Sequence, residues 1–214
     1  MADCDAQHSS IRLPRRAAHD SLGGYRSGRS CAPDIRGGSQ RRTADGVDST
    51  ETPVLLRTAG PDDLTAARAM HARCSAFTLA HRYPGPPGEA DRYLGHLLSP
   101  RFGRSLAAET TPGHVVGLAH LLWDDDEAEI ALLVEDEWQR RGIGTAMLRS
   151  LLAIALRERR EIVYTVTSTA DTAMPALMRG TGLPLERHTE GSTLVLSARV
   201  TALPAAALPL AAGG

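Results

Sequence analysis

One stretch, residues 127–157, constrains the fold more than any other part of the chain. An apolar run at 130–134 is followed by an acidic turn, a loop with Gly142 and Gly144, and a segment whose apolar residues recur at helical spacing. This order predicts a strand, a glycine loop and a helix. The first N–H groups of a helix have no intrahelical partner, and the helix dipole favours an anion there. The loop is therefore suited to a phosphorylated ligand.

The spacing of the glycines distinguishes between the known phosphate-binding loops. A dinucleotide-binding loop needs a third Gly or Ala where this chain has Met147. A P-loop needs a Lys, and the sequence contains none. The pattern of Gln139, Gly142 and Gly144, preceded by a strand that ends at Val134, resembles motif A of the GNAT superfamily of N-acetyltransferases.

The remaining segments supply the order of the elements. The predicted strands are residues 53–57, 105–109, 115–122, 128–134, 162–167 and 193–199. One predicted helix begins at Pro61, and three more cover residues 89–98, 143–157 and 171–178. The segment from Cys74 to Gly88 is interpreted as irregular. The resemblance implies the α/β (α+β) class and the GNAT fold, a mixed central sheet with helices on both faces.

Composition sets the limits of the folded region. The 214 residues, 42% hydrophobic and 23% charged, are ordinary for a globular protein. We expect a disordered tail rich in Arg, Gly and Ser at 1–50, an acetyltransferase domain at 51–200 and a flexible tail at 201–214. A net charge of −1 and the lack of any apolar run near 20 residues favour neither nucleic acid nor membrane as a partner. Three widely spaced cysteines without a signal-peptide pattern predict a cytoplasmic protein.

A narrower resemblance combines motif A with segments outside it. The segments 71–75 (HARCS), 78–79, 82–83 and 93–94, together with residues 128–144, are similar to the bacterial GNAT domains that acetylate protein lysines. This likeness implies acetyl-CoA as cosubstrate and a primary amine as acceptor, with a protein lysine among the candidates, in a monomer or homodimer. Two alternatives stay open: a GNAT enzyme acting on a small-molecule amine, and a non-catalytic acyl-CoA-binding regulatory module.

The resemblance also implies which residues bind acetyl-CoA. The backbone of Leu132 and Val134 would pair with the pantetheine arm, and the Val134 N–H would meet the thioester oxygen as charge develops on it. Asp171 stands where the family usually has an Asn, or is only an N-cap for its helix. The loop residues implied in binding, mainly through N–H groups around the pyrophosphate, are Gln139, Arg140, Arg141, Gly142, Ile143, Gly144 and Thr145.

The acceptor side needs a base, because an amine with a pKa near 10.4 is almost fully protonated at neutral pH. Glu129 lies on the strand that ends at Val134, at the position where the lysine acetyltransferases resembled here place their glutamate. Glu127 shares its strand face by the two-residue repeat and is the second candidate. For both, a plain solvent-facing acid is the alternative. Tyr83 and Tyr93 either line the acceptor groove or have core and surface roles.

One position departs from the family pattern. Met178 stands where many GNAT enzymes have a Tyr as general acid, and a thioether cannot donate a proton. A thiol with a pKa of about 8.5 leaves readily as its thiolate, so an acid is dispensable. His71, Cys74 and His81 lack the usual spacing of zinc ligands, and no metal is expected.

Overall fold

The computed structural model describes residues 53–83 and 89–200. The strands are β1 (Leu55–Ala59), β2 (Gly103–Glu109), β3 (Val115–Asp124), β4 (Glu127–Val134), β5 (Ile162–Ser168), β6 (Leu185–Glu190) and β7 (Thr193–Arg199). The helices are α1 (Leu64–Arg73), α2 (Ala76–Arg82), α3 (Glu89–Leu97), α4 (Ile143–Arg157) and α5 (Ala173–Arg179), with 3-10 turns at Pro61–Asp63 and Asp136–Trp138. The predicted tails at 1–50 and 201–214 lie outside the described residues.

The seven strands form one sheet in the order β1-β2-β3-β4-β5-β7-β6. Neighbouring strands are antiparallel except β4 and β5, which are parallel. The predicted mixed sheet is confirmed. Its one parallel pair joins the two halves of the sheet, and α4 provides the connection between those strands.

Helices cover both faces, as the fold class requires. On one face, α4 places Leu148, Leu151 and Leu152 against the sheet, each at most 1% exposed. Burying a side chain of this size stabilises the fold by about 1.5 to 3 kcal/mol. On the other face, Met70 of α1 and Leu94 of α3 are fully buried in a second cluster. The apolar positions that predicted α4 are therefore the positions at which the helix is buried.

The prediction of an irregular segment after Cys74 is wrong, because residues 76–82 form α2. Ser75 caps this helix by accepting a hydrogen bond from the Thr78 N–H at 3.2 Å. The Asp136 carboxylate accepts hydrogen bonds from the Ser75 N–H at 2.8 Å and from the Thr78 hydroxyl at 2.7 Å. A helix of 7 residues is too short for a clear periodic signal. Its position depends on these contacts with a residue distant in sequence.

The sequence analysis also missed β6, which reads LERHTE. No apolar alternation marks it, since five of its residues are exposed on the outer edge of the sheet. It forms because β7 supplies hydrogen-bond partners, from Leu185 opposite Ala198 to Glu190 opposite Thr193. The helix predicted from Asp171 instead begins at Ala173.

Gly103 starts β2 at a point of very close backbone contact. A Cβ atom there would lie 2.1 Å from the Leu121 carbonyl oxygen and 3.0 Å from the Leu122 Cα. Because both atoms belong to the paired backbone, we expect Gly103→Ala to lower the free energy of unfolding by about 1 to 3 kcal/mol. Urea denaturation followed by circular dichroism measures the loss.

Gly95→Ala is the matched control. Gly95 lies within α3, and a Cβ there would meet nothing within 4 Å. Replacing a glycine in a helix by alanine stabilises the protein by about 0.5 to 1 kcal/mol. The free energy of unfolding should therefore rise in Gly95→Ala and fall in Gly103→Ala. Equal midpoints for the two variants would contradict the close contact at Gly103.

Candidate active site

The strands β4 and β5 separate partway along β4. They pair only from Glu127 opposite Ile162 to Glu129 opposite Tyr164. Beyond that point β4 continues to pair with β3, and β5 continues to pair with β7. The C-terminal half of β4 therefore has one edge with no neighbouring strand among the described residues.

The backbone of Leu132 and Val134 faces this open edge. The Glu135 N–H donates to the Val116 carbonyl at 2.9 Å. Residues of an antiparallel pair alternate in the side to which their N–H groups point. The register of β3 and β4 thus directs the N–H groups of Leu132 and Val134 away from β3 and into the opening. An extended ligand can add to such an edge as a further strand.

The N-terminus of α4 lies directly after the end of this strand in sequence. Gly142 caps the helix with φ +83°, in the left-handed region that favours glycine, and Arg140 precedes it with φ +59°. A Cβ on Gly142 would meet nothing within 4 Å, and one on Gly144 would meet only Leu177, at 3.5 Å. The N–H groups of Ile143, Gly144 and Thr145 belong to the first turn, where helical N–H groups have no intrahelical partner. The loop is open on the side that an anion would approach.

Two of the predicted loop residues instead contact the protein. The Gln139 side chain donates to the Val134 carbonyl at 3.0 Å and to the Thr78 hydroxyl at 3.3 Å. The Arg141 guanidinium lies 4.8 Å from the centre of the Trp138 ring. Gln139 therefore ties the strand end to α2. Its predicted contact with a ligand stays a prediction, as do those of Arg140 and Arg141, both exposed.

Glu129 is half-buried on the sheet face that carries α1 and α3. Leu133, two repeats along the strand, packs into the core on that face. The Glu129 carboxylate has no hydrogen bond or ion pair within residues 53–83 and 89–200. Burial raises the pKa of Glu129 above its usual range, while the positive charge of Arg82 lowers it and Asp124 raises it. The structure thus presents an unpaired carboxylate whose affinity for a proton is increased, as expected of a base.

The sequence profile described as Acetyltransferase (GNAT) family matches residues 66–182. The chain belongs to the GNAT acetyltransferase family. No curated protein matches it. Family membership supports acetyl-CoA-dependent acetyl transfer as the activity and leaves the acceptor undetermined.

Solved structures share the GNAT fold at low sequence identity. The GNAT domain of S. lividans PAT is 23% identical, with a TM-score of 0.57, covering 67% of this chain and 89% of that one. PaiA N-acetyltransferase from Thermoplasma acidophilum, in complex with coenzyme A, is 15% identical, with a TM-score of 0.54 and coverages of 69% and 99%. A phosphinothricin acetyltransferase from Sinorhizobium meliloti, in complex with AcCoA, is 20% identical, with a TM-score of 0.55 and coverages of 68% and 88%.

Two family positions can now be placed in this GNAT domain. Met178 of α5, at the position of the usual tyrosine, is fully buried in the core cluster that also contains Met147 and Leu151 of α4. Asp171 accepts hydrogen bonds from the Thr167 hydroxyl at 2.6 Å and from the Ala173 N–H at 2.8 Å. Both Asp171 oxygens are thus engaged in holding the start of α5, which favours the capping alternative. A contact between Asp171 and acetyl-CoA stays a prediction.

Glu127, the second candidate for the base, lies nearer the start of β4. Burial raises its pKa first, with a further contribution from Asp124, and Arg199 lowers it. Its neighbour Tyr164 donates a hydrogen bond to Asp124 at 2.7 Å. Glu127 is opposite the first residue of β5, where the two strands are still paired. Glu129 is at the point where they separate, which places it nearer the opening.

The sequence analysis did not single out His120 and Tyr164, and it named Arg82 only as part of the segment 82–83. His120 is 1% exposed, and its Nδ1 lies 2.8 Å from the Ser105 hydroxyl, which itself donates to the Leu97 carbonyl. Burial, followed by the charges of Arg82 and His71, lowers the pKa of His120 to about 3. Its imidazole is therefore neutral. The three residues come from separate elements, so no sequence motif could have linked them.

Two tyrosines and one cysteine that the sequence analysis considered as site residues have the following surroundings. Tyr83 is half-buried with its hydroxyl 3.4 Å from the Nε2 of His71, whereas Tyr93 is 50% exposed. Cys74 is buried, and burial followed by Asp136 and Glu135 raises the pKa of its thiol to about 11. A thiol of that pKa is not a nucleophile at neutral pH.

Metal binding and membrane insertion have no structural support in this part of the chain. Across the described ranges, no group of three or more His, Cys, Asp and Glu side chains is arranged to hold a metal ion. None of the helices in those ranges has the length and apolar character that crossing a membrane requires.

Proposed function

We propose that this GNAT domain transfers an acetyl group from acetyl-CoA to a primary amine, with Glu129 as the general base. The observation that carries the proposal is the position of Glu129. An unpaired, half-buried carboxylate lies where β4 and β5 separate, on the strand whose free edge continues to Val134. Donor and acceptor would therefore meet beside one strand.

The residues of the cosubstrate side fit acetyl-CoA. The open helix N-terminus at Gly142 suits its pyrophosphate, and the free edge at Leu132 and Val134 suits its extended arm. The complexes of the Thermoplasma and Sinorhizobium enzymes with CoA and AcCoA support the same use of this fold. Acetyl-CoA supplies the acetyl carbon, whose bond to sulfur breaks, with the electron pair leaving on sulfur, as the bond to the amine nitrogen forms.

The role of Glu129 follows from the acceptor's protonation. An amine of pKa near 10.4 costs about 4 to 5 kcal/mol to deprotonate at pH 7, and only the neutral amine can attack. Glu129 would take this proton. Because burial raises the pKa of Glu129, its carboxylate is a stronger base than an exposed one.

The acceptor is proposed at two levels. A primary amine is common to all versions of the function. A protein lysine is the acceptor that the resemblance of the segments 71–75, 78–79 and 82–83 implies. A small-molecule amine is the alternative.

The test is acetylation by the full chain in the presence of acetyl-CoA. Lysine peptides and small primary amines would be supplied separately, with release of CoA thiol measured and the acetylated product confirmed by mass spectrometry. We expect amine-dependent release of CoA. Binding of acetyl-CoA without turnover of any amine would support the non-catalytic binding module instead.

A further inference from the structure

Arg82, the last residue of α2, carries a positive charge that no direct ion pair within the described ranges balances. It makes no ion pair or hydrogen bond with any residue in the described ranges, and its Nε is enclosed and unpartnered. Its guanidinium lies 4.6 Å from the centre of the Tyr83 ring. Two other arginines have carboxylate partners: the half-buried Arg57 pairs with Asp63 and Glu109, and the exposed Arg73 pairs with Glu135. The Nε of Arg82 has lost water without gaining a hydrogen-bond partner among the described residues, which is a costly arrangement.

The environment of Arg82 is built by other side chains. The Tyr83 ring over which it lies is itself held, because its hydroxyl is 3.4 Å from the Nε2 of His71. His71 is buried, and its Nδ1 lies 3.3 Å from an Asp91 oxygen. This chain of contacts fixes the Tyr83 ring, while the Arg82 guanidinium makes no hydrogen bond to any described residue. Arg82 is thus positioned by stacking and not by a carboxylate.

Arg82 lies on the acceptor side, near the proposed base. The helix α2 packs over β4 and β5, the two strands that separate at Glu129. The charge of Arg82 acts on both Glu129 and His120 and lowers the pKa of each. The lowered pKa of His120 keeps its imidazole neutral, so His120 adds no charge to this region. The acceptor side therefore combines an unpaired cation with a group of acids: Glu129, Glu127 and Asp124.

We propose that the acceptor is a zwitterion, a small primary amine that also carries a carboxylate, and that Arg82 binds this carboxylate while Glu129 takes the proton of the ammonium group. The inference rests on the proposed function and narrows its substrate class. Guanidinium groups bind carboxylates through paired hydrogen bonds that fix orientation as well as charge. A site with one cation and nearby acids is complementary to a molecule with both charges.

The inference separates the two acceptors left open above. The side-chain amine of a lysine within a protein carries no carboxylate of its own, whereas free amino acids and related metabolites have both groups. Arg82 belongs to the segment 82–83, whose resemblance implies a protein lysine, but the charge of its guanidinium favours the small-molecule acceptor. In this assignment Arg82 is a specificity-determining residue, because it contacts the acceptor but not the reacting atoms.

The experiment measures kcat/KM for matched pairs of acceptors with saturating acetyl-CoA. Each proteinogenic amino acid with a primary amine and a single carboxylate is paired with the amine that lacks this carboxylate, such as L-lysine with cadaverine, and Nα-acetyl-lysine methylamide represents a protein lysine. The two members of a pair differ in amine pKa. For each pair, the kcat/KM of the amino acid is divided by that of its decarboxylated amine. Comparing this ratio between the wild type and Arg82→Gln cancels the difference in amine pKa, as in a double-mutant cycle. It also cancels any change in the strength of Glu129 as a base.

We expect at least one amino acid to exceed its decarboxylated amine at least tenfold in the wild type. Arg82→Gln should reduce that ratio at least tenfold, and Arg82→Lys, which keeps the charge without the planar fork, should reduce it less. Arg68→Gln, on an exposed position of α1, is the matched control and should leave the ratio unchanged. Circular dichroism confirms that each variant is folded.

Other outcomes would overturn the proposal in distinguishable ways. Equal ratios in the wild type and Arg82→Gln would reject Arg82 as the carboxylate site while the acetyltransferase function stands. A higher kcat/KM for Nα-acetyl-lysine methylamide than for every amino acid would reject the zwitterion in favour of a protein acceptor. Acetylation of no amine of any kind would contradict the proposed function, and this inference would fall with it.

Discussion

Replacing Gly142 by Asp should abolish measurable binding of acetyl-CoA. The new carboxylate would project from the N-cap of α4, where a Cβ atom meets no other atom within 4 Å and where the pyrophosphate is expected. Two unit charges about 4 Å apart repel by about 1 kcal/mol in water and by about 4 kcal/mol near a protein surface. We therefore expect calorimetric titration to show micromolar binding by the wild type and at least a hundredfold weaker binding by Gly142→Asp.

Gly142→Asn is the control that separates charge from backbone strain. Gly142 has φ +83°, a conformation that Asn and Asp tolerate better than other non-glycine residues. The two variants share size and strain, so the difference between their affinities measures the added charge. That difference should shrink as salt is raised. Equal affinities for Asp and Asn would show that the loop does not face the pyrophosphate, and the cosubstrate site would have to be placed elsewhere.

Replacing Glu129 by Gln should lower turnover at least tenfold near neutral pH while leaving the affinity for acetyl-CoA unchanged. A well-placed general base contributes about 10²- to 10⁴-fold, and Gln keeps the shape of the side chain without its basicity. Steady-state kinetics with an accepted amine measures kcat, and calorimetry measures binding. Glu127→Gln is the comparison on the same strand, and a larger loss of turnover there would move the role of base to Glu127.

The pH profile carries an independent signature of Glu129. Burial raises its pKa, so its carboxylate is protonated at a pH where an exposed glutamate would still be ionised. Turnover should fall as the pH drops through this raised pKa, and the acidic limb should disappear in Glu129→Gln. The charged and titratable groups facing Glu129 are Arg82 from α2, Asp124 from β3 and Tyr164 from β5.

Removing one of these groups should shift the acidic limb in a defined direction. Arg82 lowers the pKa of Glu129, so Arg82→Gln should move the limb to higher pH. Asp124 raises that pKa, so Asp124→Asn should move the limb to lower pH. A limb that stays in place in both variants, or survives in Glu129→Gln, would assign the titration to another group.

The sequence by itself determined the elements that carry strong local signals. The apolar run of β4, the glycines at 142 and 144 and the helical periodicity of α4 predicted their own structures within a residue or two. The reason is that each segment buries one continuous face, so its pattern and its packing are the same property. Glu129 could be chosen as the base because it lies on one of these segments.

Tertiary structure decided the features whose partners are distant in sequence. The polar strand β6 exists because β7 pairs with it, and the short helix α2 is held by Asp136. The same packing turned Gln139 toward Val134 and engaged both oxygens of Asp171 in capping. Short or polar segments bury too little apolar surface to specify their own conformation, so contacts with the rest of the protein must do so.

The acceptor side shows this division most clearly. Arg82, His120 and Glu129 come from α2, β3 and β4, and only the folded sheet and its covering helix bring their charges together. Whether an arginine has a counter-ion is a property of its surroundings, which a one-dimensional pattern does not record. The chemistry of the acetyl donor was therefore readable from one stretch of sequence, whereas the chemistry proposed to select the acceptor required the assembled structure.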